Sequence, residues 1–568
     1  MNPSTASTVA SSHAFLGNLV ANGIDRVFLV PGESYLGILD ALNDFEELDV
    51  VTCRHEAGAG FMAVADGRLA RRPGVLMVSR GPGATNASIA VHTAQQDAVP
   101  LLLVVGQVPV ASLRREAFQE IDYRQMFAGI AKWVAEPTDP RQLGEVAAKA
   151  IRVATSGTPG PVVVVLPEDV QQQSVPAEPL RMARVQPAAP LPESVAALRA
   201  ILGRAERPLV VAGGCFDLPG GREALLRFAE AWQVPVAVSF RRHDIFPNTH
   251  PLYVGDLGLA NPARQMEAFH SSDVLVALGT RFGDVTSQGY AFPRMPRPAQ
   301  TVVHCHPDAH HIGLHFAVDL GLTCDPVGLA SLALPDDPRQ GKGREGWLHR
   351  LRGLYEAHAR WPAPEGDSTE GLAFPDVVHA LAQAAPEGSI ICLDAGTFGA
   401  PFYRHYPFGA GQRLLAPLSG AMGFGVPSAI ASQLREPLSR VICVVGDGGF
   451  LMTGNEMILA AARRLPILFI LSNNCNYGSI RVHQDREYPG RHAGTTLVNP
   501  DFVSLARAFD VTAERVTASA QVGAALRRGL ASQGPYLIEV RTRLPAPSSK
   551  VGRELATPDP RLSSIKPD

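Results

Sequence analysis

The sequence predicts an α/β protein built from three doubly wound parallel-sheet domains, and three observations carry that reading. Short runs rich in Val, Ile and Leu alternate with longer amphipathic segments through most of the chain. The runs are continuously apolar, the pattern of strands covered on both faces in a parallel sheet. Two polar stretches, 171–195 and 334–346, read as linkers and cut the pattern into three, and 568 residues are too many for one core.

In chain order, the first unit (8–172) is expected to hold a helix at Ser12–Asn22, a strand at Arg26–Val30 ending in Pro31-Gly32, a helix at Tyr35–Asn43 and a strand at Val50–Cys53. A helix at His55–Arg71, a strand at Val75–Ser79, a helix at Ala84–Gln96 and a strand at Leu101–Val105 follow. The middle unit (190–333) reads as strands at Pro208–Ala212, Val234–Ser239, Val274–Leu278 and Thr301–His304, with a helix at Gly221–Trp232. The third unit (370–545) reads as strands at Ile390–Leu393, Val441–Val445, Pro466–Leu471 and Tyr536–Val540. Its helices fall near 421–435, 453–464, 500–509 and 520–532, and the tail after Pro545 is polar.

Composition narrows the class. Apolar residues make up 46% and charged residues 18%, and the net charge is -3 without a basic stripe, so nucleic acid is not an expected partner. No apolar run approaches a membrane span, so no membrane partner is expected. Seven scattered cysteines without a CxxC pair imply reduced, buried thiols, and the N-terminus lacks the basic start of a secretory signal. A cytoplasmic location is expected.

The chemistry concentrates in the third unit. The strand VICVV runs into Gly446-Asp447-Gly448-Gly449-Phe450, and the strand ILFILS runs into Asn473-Asn474. Both polar groups then sit at the carboxyl ends of parallel strands, the edge where open α/β sheets bind ligands. One carboxylate with amide and backbone oxygens suits a hard cation such as magnesium. Glycines at 446, 448 and 449 let backbone N–H groups approach a diphosphate. Either motif alone is ordinary turn sequence; the pair, each after a buried strand, is specific. Five histidines (His304, His306, His310, His311, His315) cluster in the middle unit, and without carboxylate or cysteine support they read as polar surface rather than a metal site.

The two motifs together resemble the signature of the thiamine-diphosphate-dependent enzyme superfamily. The resemblance extends over nearly the whole chain, on the acetolactate synthase large-subunit-like branch. It is carried by Pro31-Gly32-Glu33-Ser34, Arg54-His55-Glu56, Gly81-Pro82-Gly83-Ala84-Thr85-Asn86, Ala117-Phe118-Gln119-Glu120, Pro159-Gly160-Pro161 and Gly420-Ala421-Met422-Gly423-Phe424-Gly425, followed by the GDG and Asn pair. The units then correspond to pyrimidine-binding, middle and diphosphate-binding domains. The resemblance implies thiamine diphosphate and Mg2+ as cofactors, with metal ligands Asp447, Asn474 and the backbone oxygen of Asn476. Glu56 is expected to protonate N1′ of the aminopyrimidine. Pro31 and Gly32 are expected at the cofactor, and Gly83 and Asn86 to shape the cofactor turn; Asn86 also reads as a helix cap. Gly396, Thr397 and Phe398, with Gly446, Gly448, Gly449, Tyr477 and Gly478, are expected around the diphosphate. Gly420 and Met422 belong to the segment that bends the coenzyme. Phe118 and Gln119 are expected at the substrate, across a dimer interface.

The implied reaction is decarboxylation of a 2-oxo acid such as pyruvate, and addition of the resulting enamine to a carbonyl acceptor. A simple decarboxylase, or a C–C lyase or hydrolase on the same cofactor, is the alternative. A homodimer, or a dimer of dimers, is the implied assembly. Two positions depart from the family pattern. His483 stands where biosynthetic acetolactate synthases carry Trp, and Glu168 stands where they carry Lys. In the middle unit, Gly279-Thr280-Arg281-Phe282 resembles a flavin-side turn, but His304-Cys305-His306-Pro307-Asp308 lacks the acidic pair of flavin-binding members, so FAD stays open.

Overall fold

The computed structural model describes residues 8–183, 185–337 and 343–544. The polar tail after Pro545 and the centre of the 334–346 linker lie outside them. Three six-stranded parallel sheets, each between helices, form the expected architecture. In the first domain the strands lie side by side as Asp49–Thr52, Arg26–Leu29, Gly74–Val78, Leu101–Gln107, Pro161–Pro167 and Trp133–Ala135. The third domain repeats this topology with Arg413–Leu415, Ile390–Leu393, Val441–Gly446, Ile467–Asn473, Tyr536–Arg541 and Thr512–Val516. The middle domain differs. Its order is Tyr253–Leu257, Val236–Ser239, Pro208–Ala212, Val274–Leu278, Thr301–Cys305 and Leu320–Leu322, the arrangement of dinucleotide-binding domains.

Continuous β-branched runs make the central strands. All seven residues of Pro161–Pro167 are buried, because helices cover both faces. The linker at 171–195 is shorter than the sequence suggests. Ser174–Pro176 pairs antiparallel with Thr8–Ala10, and a helix begins at Pro192. Among the described residues the cysteines are free thiols, and no helix is long and apolar enough to cross a membrane.

One helix ties the first and third domains together. Glu56–Ala70 is rich in Ala and Gly and is buried along almost its whole length, as expected of a helix packed on every side. It starts where His55 Nδ1 accepts a hydrogen bond from Ala57 N (3.1 Å) and stops at Arg71, which adopts φ 60 ahead of Pro73. A Cβ on Gly60 would lie 2.4 Å from Ala90 Cβ, so glycine sets its close approach to helix Pro82–Asp97. On its other side it packs against helix Gly425–Arg435 of the third domain. Phe61 meets Phe424 edge-on at 5.6 Å, and Arg435 is bidentate on Asp66 (2.9 and 2.8 Å).

Candidate active site

The carboxyl edge of the first sheet gathers the predicted motifs. Glu56 is the first residue of its helix, and Asn86 Nδ2 donates to its Oε2 at 2.9 Å. A Cβ on Gly83 would stand 2.7 Å from Ser79 Oγ and 3.5 Å from Glu56 Oε1, so glycine leaves this carboxyl uncovered. Gly32 serves closeness too: a Cβ there would fall 2.4 Å from Ser79 Cβ. Pro31 and Gly32 thus bring the first turn of the domain against the strand end that carries Ser79. Asn86 is not the helix cap that the sequence suggested. The helix begins at Pro82, so Asn86 lies within it and turns its amide to Glu56.

Phe118 and Gln119 sit on a loop after strand Leu101–Gln107. Gln119 has φ 63, and its carbonyl oxygen would be 2.7 Å from a Cβ on Gly81. Glu120 accepts from Ala117 N (3.1 Å) and from Arg114 N, which fixes the loop. Phe118 itself is 77% exposed in the single chain. Arg80, next to Gly81, pairs with Glu168 at 3.1 Å, so the acidic residue at 168 has an internal partner.

The third sheet presents a second polar edge. Gly446 pairs in register with Ser472, which places Asp447 and Asn474 on adjacent strand ends. Asn473 and Asn474 have separate tasks. Asn473 Nδ2 donates to buried Glu539 (2.7 Å) on the neighbouring strand. Asn474 Oδ1 accepts from Asn476 N (2.9 Å), and Asn476 Nδ2 returns a bond to Asn474 O (2.8 Å). Asn499, which the sequence reading did not single out, donates to Asp447 Oδ2 (2.8 Å) and Asn473 Oδ1 (3.0 Å). Its own Oδ1 is buried without a partner. Burial raises the Asp447 carboxyl above its usual range despite these donors.

The surrounding glycines make room for side chains. Phe398 fills the space that a Cβ would take at Gly396 (2.2 Å) and Gly446 (2.8 Å), and Tyr477 does so at Gly448 (2.5 Å). A Cβ on Gly478 would lie 3.1 Å from both Asn474 Nδ2 and Thr397 Oγ1, so the predicted diphosphate and metal segments converge. Asp394 was also missed. Its fully buried carboxylate accepts from Ala395 N (2.6 Å), Gly423 N (2.9 and 3.0 Å) and Gly425 N (3.1 Å), and Gly449 packs on it. Burial pushes it up to about 6 against the pull of those N–H groups. With Thr453 Oγ1 on Gly423 O (2.6 Å), Asp394 clamps the segment carrying half-buried Met422, while Gly420 takes φ 70 at its start.

The middle-domain histidines correct the surface reading. His304 and His306 are buried, and His304 Nε2 lies 2.9 Å from Thr280 O. Among the described residues no group of three His, Cys, Asp or Glu is placed to hold a metal.

Comparison with known proteins follows this map. Residues 10–126 match the model of the thiamine pyrophosphate enzyme N-terminal TPP binding domain, 195–332 the central domain and 394–540 the C-terminal TPP binding domain. The chain is 32% identical to the acetolactate synthase large subunit of Parasynechococcus marenigrum, over 94% of this chain and 88% of that one. It is 30% identical to a probable acetolactate synthase large subunit of Methanocaldococcus jannaschii, over 93% and 91%. It is likewise 30% identical to the acetolactate synthase isozyme 2 large subunit of Escherichia coli, over 92% and 93%.

Proposed function

The chain belongs to the thiamine pyrophosphate enzyme family, on its acetolactate synthase-like branch, and from that premise we propose that it decarboxylates a 2-oxo acid, pyruvate first among them, and joins the remaining fragment to a carbonyl acceptor. The observation that carries this reading is the Glu56 carboxyl, oriented by Asn86 and left uncovered by Gly83 at a sheet's carboxyl edge.

The residues fit the cofactors. Asp447 is a buried carboxylate held by Gly448 N (3.0 Å) and Asn499 Nδ2 (2.8 Å), with no cationic side chain paired to it among the described residues. A divalent ion would neutralise the Asp447 carboxylate, and one carboxylate with amide and backbone oxygens suits Mg2+ with bound phosphates. Asp447, Asn474 and the backbone oxygen of Asn476 would hold the metal. Thr397 and the backbone around Gly396 and Gly446–Gly449 would hold the diphosphate.

When bound, thiamine diphosphate supplies the carbon nucleophile and the electron sink for decarboxylation. Glu56 holds a proton for N1′ of the aminopyrimidine, and Asn86 fixes the carboxyl that delivers it. Met422 would give the bound coenzyme apolar support and help to position it for reaction. Phe118 walls the pocket and excludes water, and Gln119 donates to a substrate carbonyl. Exposure of Phe118 supports a site shared between two chains, with Glu56 from one and Asp447 from the other.

We propose that the middle domain holds no flavin dinucleotide. Its place in this topology is the crevice beside strands Pro208–Ala212 and Val274–Leu278. Ser239 Oγ donates to Thr280 Oγ1 there at 2.7 Å. The loops also touch: a Cβ on Gly213 would be 2.3 Å from Gly279 O. Asp308, the carboxylate after strand Thr301–Cys305, is turned to Thr158 Oγ1 (2.7 Å). We read the domain as a structural one.

The reading is tested by incubating the enzyme, thiamine diphosphate and Mg2+ with pyruvate and a panel of other 2-oxo acids. Acetolactate, acetoin or another ligated product supports it. Acetaldehyde alone overturns the ligase assignment and leaves a simple decarboxylase.

A further inference from the structure

The junction of the three domains buries more positive charge than the protein balances. A cavity of ≈ 130 Å³ lies between the end of helix Glu56–Ala70, the turn before strand Leu101–Gln107 and the loop after strand Pro208–Ala212. Arg68, Arg71, Arg242, Asp97, Asp217 and Gly214 contribute to its wall. Both Asp217 oxygens are taken, Oδ2 by Arg68 (3.3 Å) and Oδ1 by Arg71 (3.3 Å), Arg222 (3.0 Å) and Arg413 (3.3 Å). Asp244 takes Arg222 as well (2.7 Å), and Asp97 Oδ1 accepts from Leu418 N (2.7 Å) and Ser419 N (3.4 Å).

Arg242 has no such partner. Its guanidinium is buried, and among the described residues no carboxylate pairs with it; its Nη2 donates to the Asp97 carbonyl at 3.2 Å. Nη1 is buried and unpartnered, as is Nη2 of the equally buried Arg68. Burial first, and then the Arg68 charge, push Arg242 down to about 10 against the pull of the Asp217, Asp97 and Asp244 carboxylates. A buried guanidinium N–H without a hydrogen-bond partner is costly.

We propose that this junction binds a small oxyanion, of the size and charge of inorganic phosphate, between Arg68 and Arg242. Guanidinium groups are suited to it, since their planar donors pair with phosphate oxygens. The volume argues for a single anionic group. It is about four water molecules' worth, well short of the roughly 300–1,000 Å³ of an organic-ligand pocket. Such an anion also touches the catalytic region at one remove. Arg242 holds the Asp97 carbonyl, the Asp97 carboxylate holds Leu418 and Ser419, and Arg241 donates to Pro417 O, all just ahead of Met422.

The experiment uses the holoenzyme saturated with thiamine diphosphate and Mg2+, so that phosphate cannot report on the cofactor's own site. Inorganic phosphate is titrated against chloride at equal ionic strength, followed by calorimetry and thermal unfolding. A saturable rise of about 2–4 °C over chloride is expected. Affinity falls at least tenfold in Arg242→Met and, made separately, in Arg68→Met. A rise no larger than that with chloride, or one retained in both variants, overturns the proposal. ADP and FAD form the second arm. Tight binding of either, where phosphate has no effect, also overturns it, because the site is then a nucleotide site.

Discussion

Asn86 Nδ2 and Glu56 Oε2 are 2.9 Å apart, and they come from two helices that start at neighbouring strand ends of one sheet. In the proposed site Glu56 serves the aminopyrimidine, and Asn86 decides where that carboxylate points. Glu56→Gln is therefore expected to keep the coenzyme bound while slowing exchange of its C2 hydrogen about 10²–10⁴-fold. Asn86→Leu should give a smaller loss, because the carboxyl remains but is no longer aimed. Proton NMR of the bound coenzyme in D₂O measures both. Exchange at the parent rate in Glu56→Gln removes this residue from the mechanism.

Asn499 bridges Asp447 and Asn473, so in the proposed site it orients the metal carboxylate without being a ligand itself. Outer partners of metal ligands typically contribute 10–100-fold in affinity. Asn499→Ala is expected to weaken Mg2+ binding by about that factor, with kcat recovering at high Mg2+. Asp447→Asn should lose the site outright. Mg2+ titration of coenzyme affinity distinguishes the two, and an Asn499→Ala protein with parental Mg2+ dependence would disprove the positioning role.

Asp394 links pH to the Met422 segment. At pH 7 its carboxylate accepts N–H groups from Ala395, Gly423 and Gly425; protonation, centred at about 6, weakens that acceptance. Activity is expected to fall as pH drops through about 6, and Asp394→Ala should raise the coenzyme dissociation constant at all pH values. Stability runs the other way. A carboxyl raised on folding contributes favourably below its unfolded value near 3.8, and this is lost as pH rises through about 6, a cost of about 3 kcal/mol at neutrality. Asp394→Asn removes this titration, so its unfolding free energy should vary less between pH 4 and 6 than the parent's. Arg241 and Tyr403 also face this carboxylate and are kept unchanged in the comparison.

The central strands and the motif residues were legible because each has a local signature. LLLVV in Leu101–Gln107 is apolar whatever surrounds it, and GDG after VICVV carries its own turn. What escaped depends on tertiary contact. Arg413–Leu415 and Thr512–Val516 are edge strands, and helix Gly478–Glu487 buries little beyond Gly478. Asn499 and Asp394 belong to no motif and matter through donors that only the fold brings to them. His304 and His306 looked like surface because a histidine's burial is set by its neighbours, here Thr280 and the Asp308 loop.

The shared site makes a prediction that no single variant reaches. If Glu56 of one chain completes the centre built on Asp447 of another, Glu56→Gln and Asp447→Asn homodimers are each inactive at both of their sites. Random exchange of chains then makes half of the dimers mixed, and each mixed dimer carries one intact site and one doubly altered site. Mixing equal amounts and allowing chains to exchange should thus restore about one quarter of parental activity. A site assembled within one chain cannot be rescued, since every chain carries one lesion. Exposure of Phe118 on its ordered loop favours the first outcome, as a second chain would cover that ring. Assay of product formation before and after exchange, with chain mixing verified by native mass spectrometry, decides between them. Mixed dimers without recovered activity would refute the shared site.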